Sequence, residues 1–360
     1  MSPAFRLGDS GPEVADIRAR LDRLGLLCTQ PGEDVFDAAV HAAVRHFQQE
    51  RGLNTDGVVG PQTLRHLDEA GWQLGDRTLS HTPGHLMRGD DVTVLQRRLS
   101  SLGFDIGRID GIFGPRTDAA LREFQRGVGV TADGTAGVDT FRALDRLNRS
   151  IGGGQPQRLR QSVFLDSLRT GISDKVIVLD PAHGGPDHGN ACAGLDESVL
   201  VGDLASRIEG RLSALGTTVL LTRPVHGQAP ALDDAARAAF ANATNADLFV
   251  SLHIDHCASA DASGIATFHY GVAPDAGWSH SGERAAQRIH ASVLKSTGLA
   301  DCKVQYRTWE LLRLTRMPAV WVEAGYLSNT VDAGAWRDVE FVDRLAEAIA
   351  DGIVAFFSPA

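Results

Sequence analysis

The sequence predicts a multidomain protein in which two small all-α modules of three helices each precede an α/β domain with a mostly parallel sheet. Two observations support this prediction. A stretch within the first 150 residues is repeated, with apolar residues at helical spacing, and beyond residue 175 short β-branched apolar runs alternate with helical patterns. A chain of 360 residues is long enough for two or three domains with buried cores.

The segment at residues 45–67 is repeated at residues 122–144. Phe47 corresponds to Phe124 and Asp56 to Asp133, each 77 residues later. Because the offset is constant, we expect two copies of one module, at residues 1–75 and 76–147.

The apolar residues that open each copy follow one face of a helix. They are Val14, Ile17, Leu21 and Leu24 in the first copy and Val92, Leu95, Leu99 and Leu102 in the second. The segments DGVVGPQT (56–63) and DGIFGPRT (110–117) place an Asp-Gly turn before a Gly-Pro step, and proline suits the first turn of a helix. The pattern predicts bundles of three helices.

A change in composition separates the repeats from the rest of the chain. Residues 148–174 contain three consecutive glycines before Gln-Pro, which is typical of a linker. Residues 175–358 are then expected to form one α/β domain. Its predicted strands are KVIVLD (175–180), TTVLLT (217–222), DLFVSL (247–252), GIATFHY (264–270) and PAVWVE (318–323).

Composition and charge exclude several classes of protein. With 35 basic and 45 acidic residues the net charge is −10, which argues against a nucleic-acid binder. We find no apolar run long enough for a membrane span and no signal peptide, so the prediction is a cytoplasmic protein. Four cysteines without a CxxC pair suit reduced thiols.

Three residues with catalytic chemistry follow predicted strands. His183 comes after the first strand, His253 directly follows DLFVSL, and Glu323 ends PAVWVE. Glu197 lies 14 residues after His183, at the start of a helical pattern. Because ligands collect at the carboxyl ends of parallel strands, these side chains are candidates for one site.

Two histidines and one carboxylate are a common set of ligands for catalytic zinc, and the remaining position is open for water. A further carboxylate outside the metal's ligand sphere would then serve as general base. Spacing alone leaves two assignments open, since either Glu197 or Glu323 could be the ligand and the other the base.

A family resemblance is carried by successive motifs: VIVLDPAHGGPDHG, Glu197, LLTR (220–223), ADLFVSLH (246–253) and RLTRMPAVWVEAGYLSN (313–329). Together they resemble the zinc-dependent N-acetylmuramoyl-L-alanine amidases of the type-3 family. The resemblance implies that His183, Glu197 and His253 hold Zn²⁺ and that Glu323 is the catalytic acid/base. It implies hydrolysis of the amide between N-acetylmuramic acid and L-alanine, and we expect Arg313 to pair with a substrate carboxylate.

The two repeats resemble peptidoglycan-binding domains. The expected partners are therefore peptidoglycan or its muropeptide precursors. Together with the missing export signal, this organisation resembles the actinobacterial CwlM-like branch, regarded as cytoplasmic regulators of peptidoglycan precursor synthesis. The alternative function is thus a regulator with little or no hydrolysis, whose partner would be an enzyme of precursor synthesis.

The loop after His253 has an unusual composition. Asp255, His256 and Cys257 follow within four residues, and Cys192 is close in sequence to Glu197. An extra carboxylate or thiolate there could occupy the open position on the metal, which would lower activity even with zinc bound.

Overall fold

The computed structural model describes residues 4–28, 33–148, 156–225, 231–272 and 277–359. The chain divides into two compact units. One comprises Met1–Arg160 with Val272–Trp278, and the other comprises Gln161–Gly271 with Ser279–Ala360.

The first unit is helical, as predicted. Its helices are α1 (Pro12–Arg23), α2 (Ala38–Glu50), α3 (Pro61–Ala70), α4 (Asp90–Ser101), α5 (Pro115–Val128) and α6 (Val138–Asn148). Helices α1–α3 surround one hydrophobic core and α4–α6 a second one. The periodic residues Val14, Ile17 and Leu21 are at most 1% exposed. The separate cores suit two modules, while their exact boundaries stay a prediction.

A buried glutamine organises three of the turns between these helices. In each case Gln Nε2 donates to three oxygens, which belong to an aspartate carboxylate, to the backbone carbonyl two residues beyond that aspartate and to a threonine hydroxyl. Gln Oε1 accepts the backbone N–H of the glycine that follows the aspartate. The donor–acceptor distances range from 2.8 to 3.2 Å. The groups are Gln48 with Asp56 and Thr63, Gln96 with Asp110 and Thr117, and Gln125 with Asp133 and Thr140.

The turn between α1 and α2 lacks this glutamine. Arg18 stands where the second copy has Gln96, and it donates to Val35 O at 2.9 Å and to Asp37 Oδ2 at 3.0 Å, and also pairs with Glu33. Burial opposes the charged guanidinium, but these acidic partners raise the pKa of Arg18. In the first copy the Arg18 guanidinium therefore holds this turn through a carbonyl and two carboxylates, as the glutamine amide holds the other turns. This explains how the module keeps its fold with a different sequence at this turn.

The predicted linker at residues 148–174 contains a helix, α7 (Pro156–Leu168). The three glycines lie outside the described residues. Leu165 and Leu168 pack against the core of the second unit. Part of this segment thus belongs to a packed domain, because apolar side chains in α7 find a core to cover.

The second unit is built on a six-stranded sheet with the order β4-β1-β5-β8-β6-β7. The strands are β1 (Val176–Pro181), β4 (Thr218–Leu221), β5 (Leu248–Asp255), β6 (Ile265–Tyr270), β7 (Asp301–Arg307) and β8 (Ala319–Tyr326), and a small antiparallel pair joins β2 (Ala191–Cys192) to β3 (Leu195–Asp196). Among the strands described for the main sheet, the β6–β8 pair is antiparallel and the other pairs are parallel. The mostly parallel sheet is confirmed, and β7 is a strand that sequence reasoning missed.

Helices complete this unit: α8 (Glu197–Ser213), α9 (Asp234–Ala243), α10 (His280–Thr297), α11 (Glu310–Leu314), α12 (Thr330–Ala335) and α13 (Val339–Phe357). Helices α8, α10 and α13 share a core with Leu179, Val250 and Val322 of the sheet. The other face of the sheet carries Trp321 and Phe268, against which Trp309 packs. Among the described residues, no helix combines the length and apolar character that crossing a membrane requires.

Replacing the buried glutamine of one turn tests its contribution to stability. Gln96→Ala leaves the N–H groups of Asp110 and Gly111 without their acceptor. We expect a loss of about 2 kcal/mol in the free energy of unfolding, since each unpaired buried polar group costs ~1–3 kcal/mol. Calorimetry on the full chain, with hydrogen exchange of residues 104–117, measures it.

The matched control is Arg97→Ala, because Arg97 is the next residue on α4 and is exposed. It should leave both readouts unchanged. Equal effects of the two substitutions would mean that the glutamine does not stabilise the turn.

Candidate metal centre and catalytic site

His183 lies two residues after β1, in a turn that the structure holds from several directions. Its backbone has φ 60°, a conformation that non-glycine residues seldom adopt. Arg237 Nη2 donates to His183 O at 2.8 Å, and the ring Nδ1 lies 2.9 Å from Asp187 Oδ2. The second contact fixes the ring orientation and leaves Nε2 free to face inward.

Two buried arginines anchor the same turn. Arg223 donates to the carbonyl oxygens of Pro181, Ala182 and Ser198 at 2.8–2.9 Å. Arg237 pairs with Asp180, which is fully buried and also accepts a hydrogen bond from Ser251 Oγ at 2.6 Å. This network ties the end of β1 to β5 and α8, so that the position of His183 depends on the sheet as a whole.

Glu197 is the first residue of α8, and its side chain is 1% exposed. Its Oε2 accepts the N–H of Asn190 at 2.8 Å, and its Oε1 accepts the N–H of Ile254 at 3.0 Å. The carboxylate also lies 3.1 Å from His183 Nε2 and 3.2 Å from His253 Nδ1. Burial works against ionisation, but the hydrogen bonds and charges of the two histidines hold the pKa of Glu197 well below its ordinary value.

His253 occupies the last part of β5, and its ring is stacked on Trp321 of the neighbouring strand. The ring centroids are 3.5 Å apart and the planes differ by 8°. Burial lowers the pKa of His253, although Glu197 opposes this effect. A low pKa favours the neutral imidazole, which is the form that binds metals.

The three side chains form a compact cluster of possible metal ligands. One ligand atom each from His183, Glu197 and His253 lies within 4.8 Å of the other two. A Cβ added at Gly189 would lie 2.6 Å from Glu197 Oε2 and would also collide with the His183 ring. Two imidazoles and one carboxylate around a space that a methyl group would fill fit a divalent cation such as Zn²⁺.

Glu323 lies beside this cluster because β8 runs parallel to β5, with Glu323 opposite His253 in the register. Trp321 Nε1 donates to Glu323 Oε1 at 3.2 Å. Burial, reinforced by the negative charge of Asp255, raises the pKa of Glu323 to about 8. A carboxyl group with a pKa near neutrality suits proton transfer.

The loop residues expected to crowd the metal lie outside the cluster. Within the described part of the chain the group of possible ligands contains none of Asp255, His256 and Cys257. Asp255 is buried enough that its own pKa is raised, and it acts on Glu323 through its charge. Cys192 packs at the edge of the main core, and the backbone N–H of Cys257 donates to Ser328 Oγ at 3.0 Å.

Arg313 lies on α11 and is 5% exposed. Its pairing with a substrate carboxylate stays a prediction. A different arginine that sequence reasoning did not single out, Arg307, acts on Glu323 through its charge and lies over the rings of Phe268 and Trp309. The Nε atom of Arg307 and the Nε1 atom of Trp309 are both buried and have no hydrogen-bond partner among the residues that the structure describes.

Sequence reasoning also missed Asp187, Gly189, Arg237 and Trp321. Two of them had a usable signal: Asp187 follows His183 by four residues within one glycine-rich loop, and Trp321 precedes Glu323 by two residues on a strand, which places both side chains on one face of the sheet. Gly189 and Arg237 had none, because their roles depend on contacts between distant segments.

Comparison with known families matches both parts of the chain. Residues 177–355 match the family described as N-acetylmuramoyl-L-alanine amidase (Amidase_3). Residues 10–67 and 88–144 match a family described as a peptidoglycan binding domain. The two families thus cover the two parts that differ in fold.

Two curated proteins and one solved structure show what the chain is similar to. The N-acetylmuramoyl-L-alanine amidase CwlM of Mycobacterium tuberculosis is 44% identical over 96% of this chain and 87% of that protein. The amidase LytC of Bacillus subtilis is 28% identical over 53% of this chain and 37% of that protein. The catalytic domain of CwlV from Bacillus (Paenibacillus) polymyxa var. colistinus is 28% identical, covers 52% of this chain and 99% of that domain, and aligns with a TM-score of 0.46.

The space beside Gly189 can be tested directly. In Gly189→Ala the new methyl group enters the space between His183 and Glu197, so we expect binding of a divalent cation to fall at least tenfold. Titration of the metal-free protein with Zn²⁺ by calorimetry measures the change.

Gly194→Ala is the matched control. Gly194 has φ +79° and Gly189 φ +67°, so both substitutions strain the backbone, but in the described part of the chain no neighbouring atom lies within 4 Å of the Cβ position at Gly194. An equal loss of metal affinity in both variants would assign the effect to strain in the loop.

The raised pKa of Glu323 predicts a dependence of stability on pH. The folded, metal-free protein holds this proton to about pH 8, whereas the unfolded chain loses it near its ordinary pKa of 4.5. Stability therefore falls as the pH rises between these values, since the folded state binds the additional proton. In urea unfolding with a chelator, Glu323→Gln should lose less stability than the wild type between about pH 5 and about pH 8. Parallel curves would contradict this assignment.

Proposed function

The chain belongs to the N-acetylmuramoyl-L-alanine amidase family, and from that premise we propose that it hydrolyses the amide between N-acetylmuramic acid and L-alanine in peptidoglycan with the help of Zn²⁺. His183, Glu197 and His253 would hold the ion, and Glu323 would act as general base and acid. One observation carries the proposal: His183 Nε2 and His253 Nδ1 both face the Glu197 carboxylate, at 3.1 and 3.2 Å, beside the strand that bears Glu323.

Zn²⁺ bound by these three residues would leave a position open and would supply a Lewis acid that polarises the scissile carbonyl and makes a water molecule more acidic. Glu323 takes the proton of the attacking water and delivers it to the amine of L-alanine as the amide bond breaks. The pKa of Glu323 is raised to about 8 without a cation, and positive charge nearby lowers it, so the carboxyl group can hold and release a proton near neutral pH.

Two further carboxylates near the site have different tasks in this proposal. Asp187 holds Nδ1 of His183 at 2.9 Å, which directs Nε2 to the ion. Asp255 lies outside the group of ligands among the described residues, and its charge adds to the burial that raises the pKa of Glu323.

We further propose that the helical modules bind peptidoglycan and keep the catalytic unit on its polymeric substrate. The family matches at residues 10–67 and 88–144 support this. The alternative, a cytoplasmic regulator on an amidase scaffold, requires no turnover and predicts a partner among the enzymes of precursor synthesis. Hydrolysis is the better supported function, because the three candidate ligands offer atoms within 4.8 Å of one another and Glu323 lies opposite His253 on the adjacent strand.

The test pairs metal content with turnover. Purified protein should contain one equivalent of zinc, and it should release stem peptides from purified peptidoglycan. Glu323→Gln should retain the zinc and lose at least ~100-fold in rate, since general acid–base catalysis contributes 10²–10⁴-fold. Glu347→Gln on the exposed side of α13 is the control and should match the wild type.

Zinc without release of peptides would favour the regulator, and no zinc would contradict the metal site. Release that survives Glu323→Gln would assign the base to another residue.

Retention on insoluble peptidoglycan tests the modules separately. The Glu323→Gln variant should sediment with the polymer as well as the wild type, with or without a chelator, because binding by the modules needs neither the base nor the metal. Loss of sedimentation with the chelator would place polymer binding in the catalytic unit.

A further inference from the structure

Trp321 contacts two groups of the candidate site with different parts of one side chain. Its ring lies against His253, with centroids 3.5 Å apart and an interplanar angle of 8°. Its Nε1 donates to Glu323 Oε1 at 3.2 Å. Trp321 and Glu323 are two residues apart on β8, so both project from the same face of the sheet, and His253 projects from that face of β5.

We propose that Trp321 is a positioning residue that sets the plane of the His253 ring and the orientation of the Glu323 carboxyl group, and thereby couples the metal site to the general base. The inference rests on the proposed function. In this proposal one indole sets the distance and angle between His253, a candidate metal ligand on β5, and Glu323, the proposed base on β8.

The stack determines the plane of the His253 ring, and Glu197 determines which ring nitrogen faces the metal site. A parallel ring at 3.5 Å fixes the plane of the imidazole, because tilting it would open a gap or produce a clash. A 180° rotation about the Cβ–Cγ bond would still be allowed, because it returns the ring to the same plane and exchanges the positions of Nδ1 and Cδ2. The carboxylate of Glu197, 3.2 Å from Nδ1, selects which nitrogen faces the metal site.

The indole is itself held in place. Trp309 packs against Trp321 with centroids 4.7 Å apart and is 7% exposed. Phe268 lies opposite Trp321 in the register of β6 and β8 and contacts Trp309 at 4.7 Å. Trp321 therefore has aromatic neighbours on the side away from β5, and its position is fixed by packing that Glu323 and His253 do not provide.

The hydrogen bond to Glu323 has a fixed direction. An indole N–H only donates, so Oε1 of Glu323 must accept. In this proposal the second oxygen carries or receives the proton. Without this donor the carboxyl group could rotate, and the oxygen that faces the substrate would no longer be defined.

Two substitutions separate the contacts. Trp321→Phe keeps an aromatic ring for the stack and removes the N–H, so kcat should fall ~10-fold with little change in KM or in zinc affinity, in line with the loss of one hydrogen bond to an ionisable group. Trp321→Leu removes both contacts, so zinc affinity should also fall ~10-fold or more, as for other partners that orient metal ligands. Zinc affinity is measured by calorimetry on metal-free protein and kcat by release of stem peptides.

Phe164→Leu, at a half-exposed position of α7 in the same unit, controls for the loss of an aromatic ring and should change neither value. Circular dichroism and the melting temperature of each variant show whether it folds. If Trp321→Leu does not fold, the comparison of Trp321→Phe with the wild type still decides whether the N–H acts on kcat.

The inference is overturned if Trp321→Phe keeps the wild-type kcat, or if Trp321→Leu binds zinc as tightly as Trp321→Phe. A wild-type protein that releases no peptide would contradict the proposed function instead, and the zinc affinities of the two variants would still test the stack on His253.

Discussion

The buried carboxylate of Glu197 is the constraint on which the candidate site depends. It accepts N–H groups from Asn190 and Ile254, which belong to two distant segments, while both of its oxygens face a histidine ring. A carboxylate removed from water is stable only if such partners replace its hydration. The loop after β1, the end of β5 and the start of α8 must therefore meet at this residue, and the turn that carries His183 is held for the same purpose by Arg223 and Arg237.

Two glutamates in this site have opposite electrostatic environments. Glu197 faces two imidazoles and stays ionised, whereas Glu323 is buried near Asp255 and its pKa rises to about 8. Separation of pKa values between neighbouring acids is how one site obtains both a permanent charge and a group that exchanges protons. The difference agrees with a ligand role for Glu197 and a proton-transfer role for Glu323, the choice that spacing left open.

The helical unit follows a different principle. Its turns are organised by contacts within about 20 residues of sequence, with one glutamine satisfying a whole turn in three places and Arg18 replacing it in a fourth. Local polar contacts of this kind tolerate a change of residue if the new side chain reaches the same carbonyl, as Arg18 reaches Val35. Around Glu197 the second unit does not tolerate such a change, because the hydrogen-bond partners of Glu197 come from separate strands and loops.

The sequence by itself determined the class of fold, the repeated helical modules and a set of candidate site residues, since apolar periodicity and strand-end positions are local signals. His183, His253 and Glu323 could be predicted to lie close together, because the carboxyl ends of parallel strands meet at one edge of a sheet. Tertiary structure alone decided that β7 is a strand, that α7 covers a core, and that Asp187, Gly189, Arg237 and Trp321 shape the site. Their roles arise from contacts between segments far apart in sequence, and pattern or spacing cannot report the distance between such segments before the chain has folded.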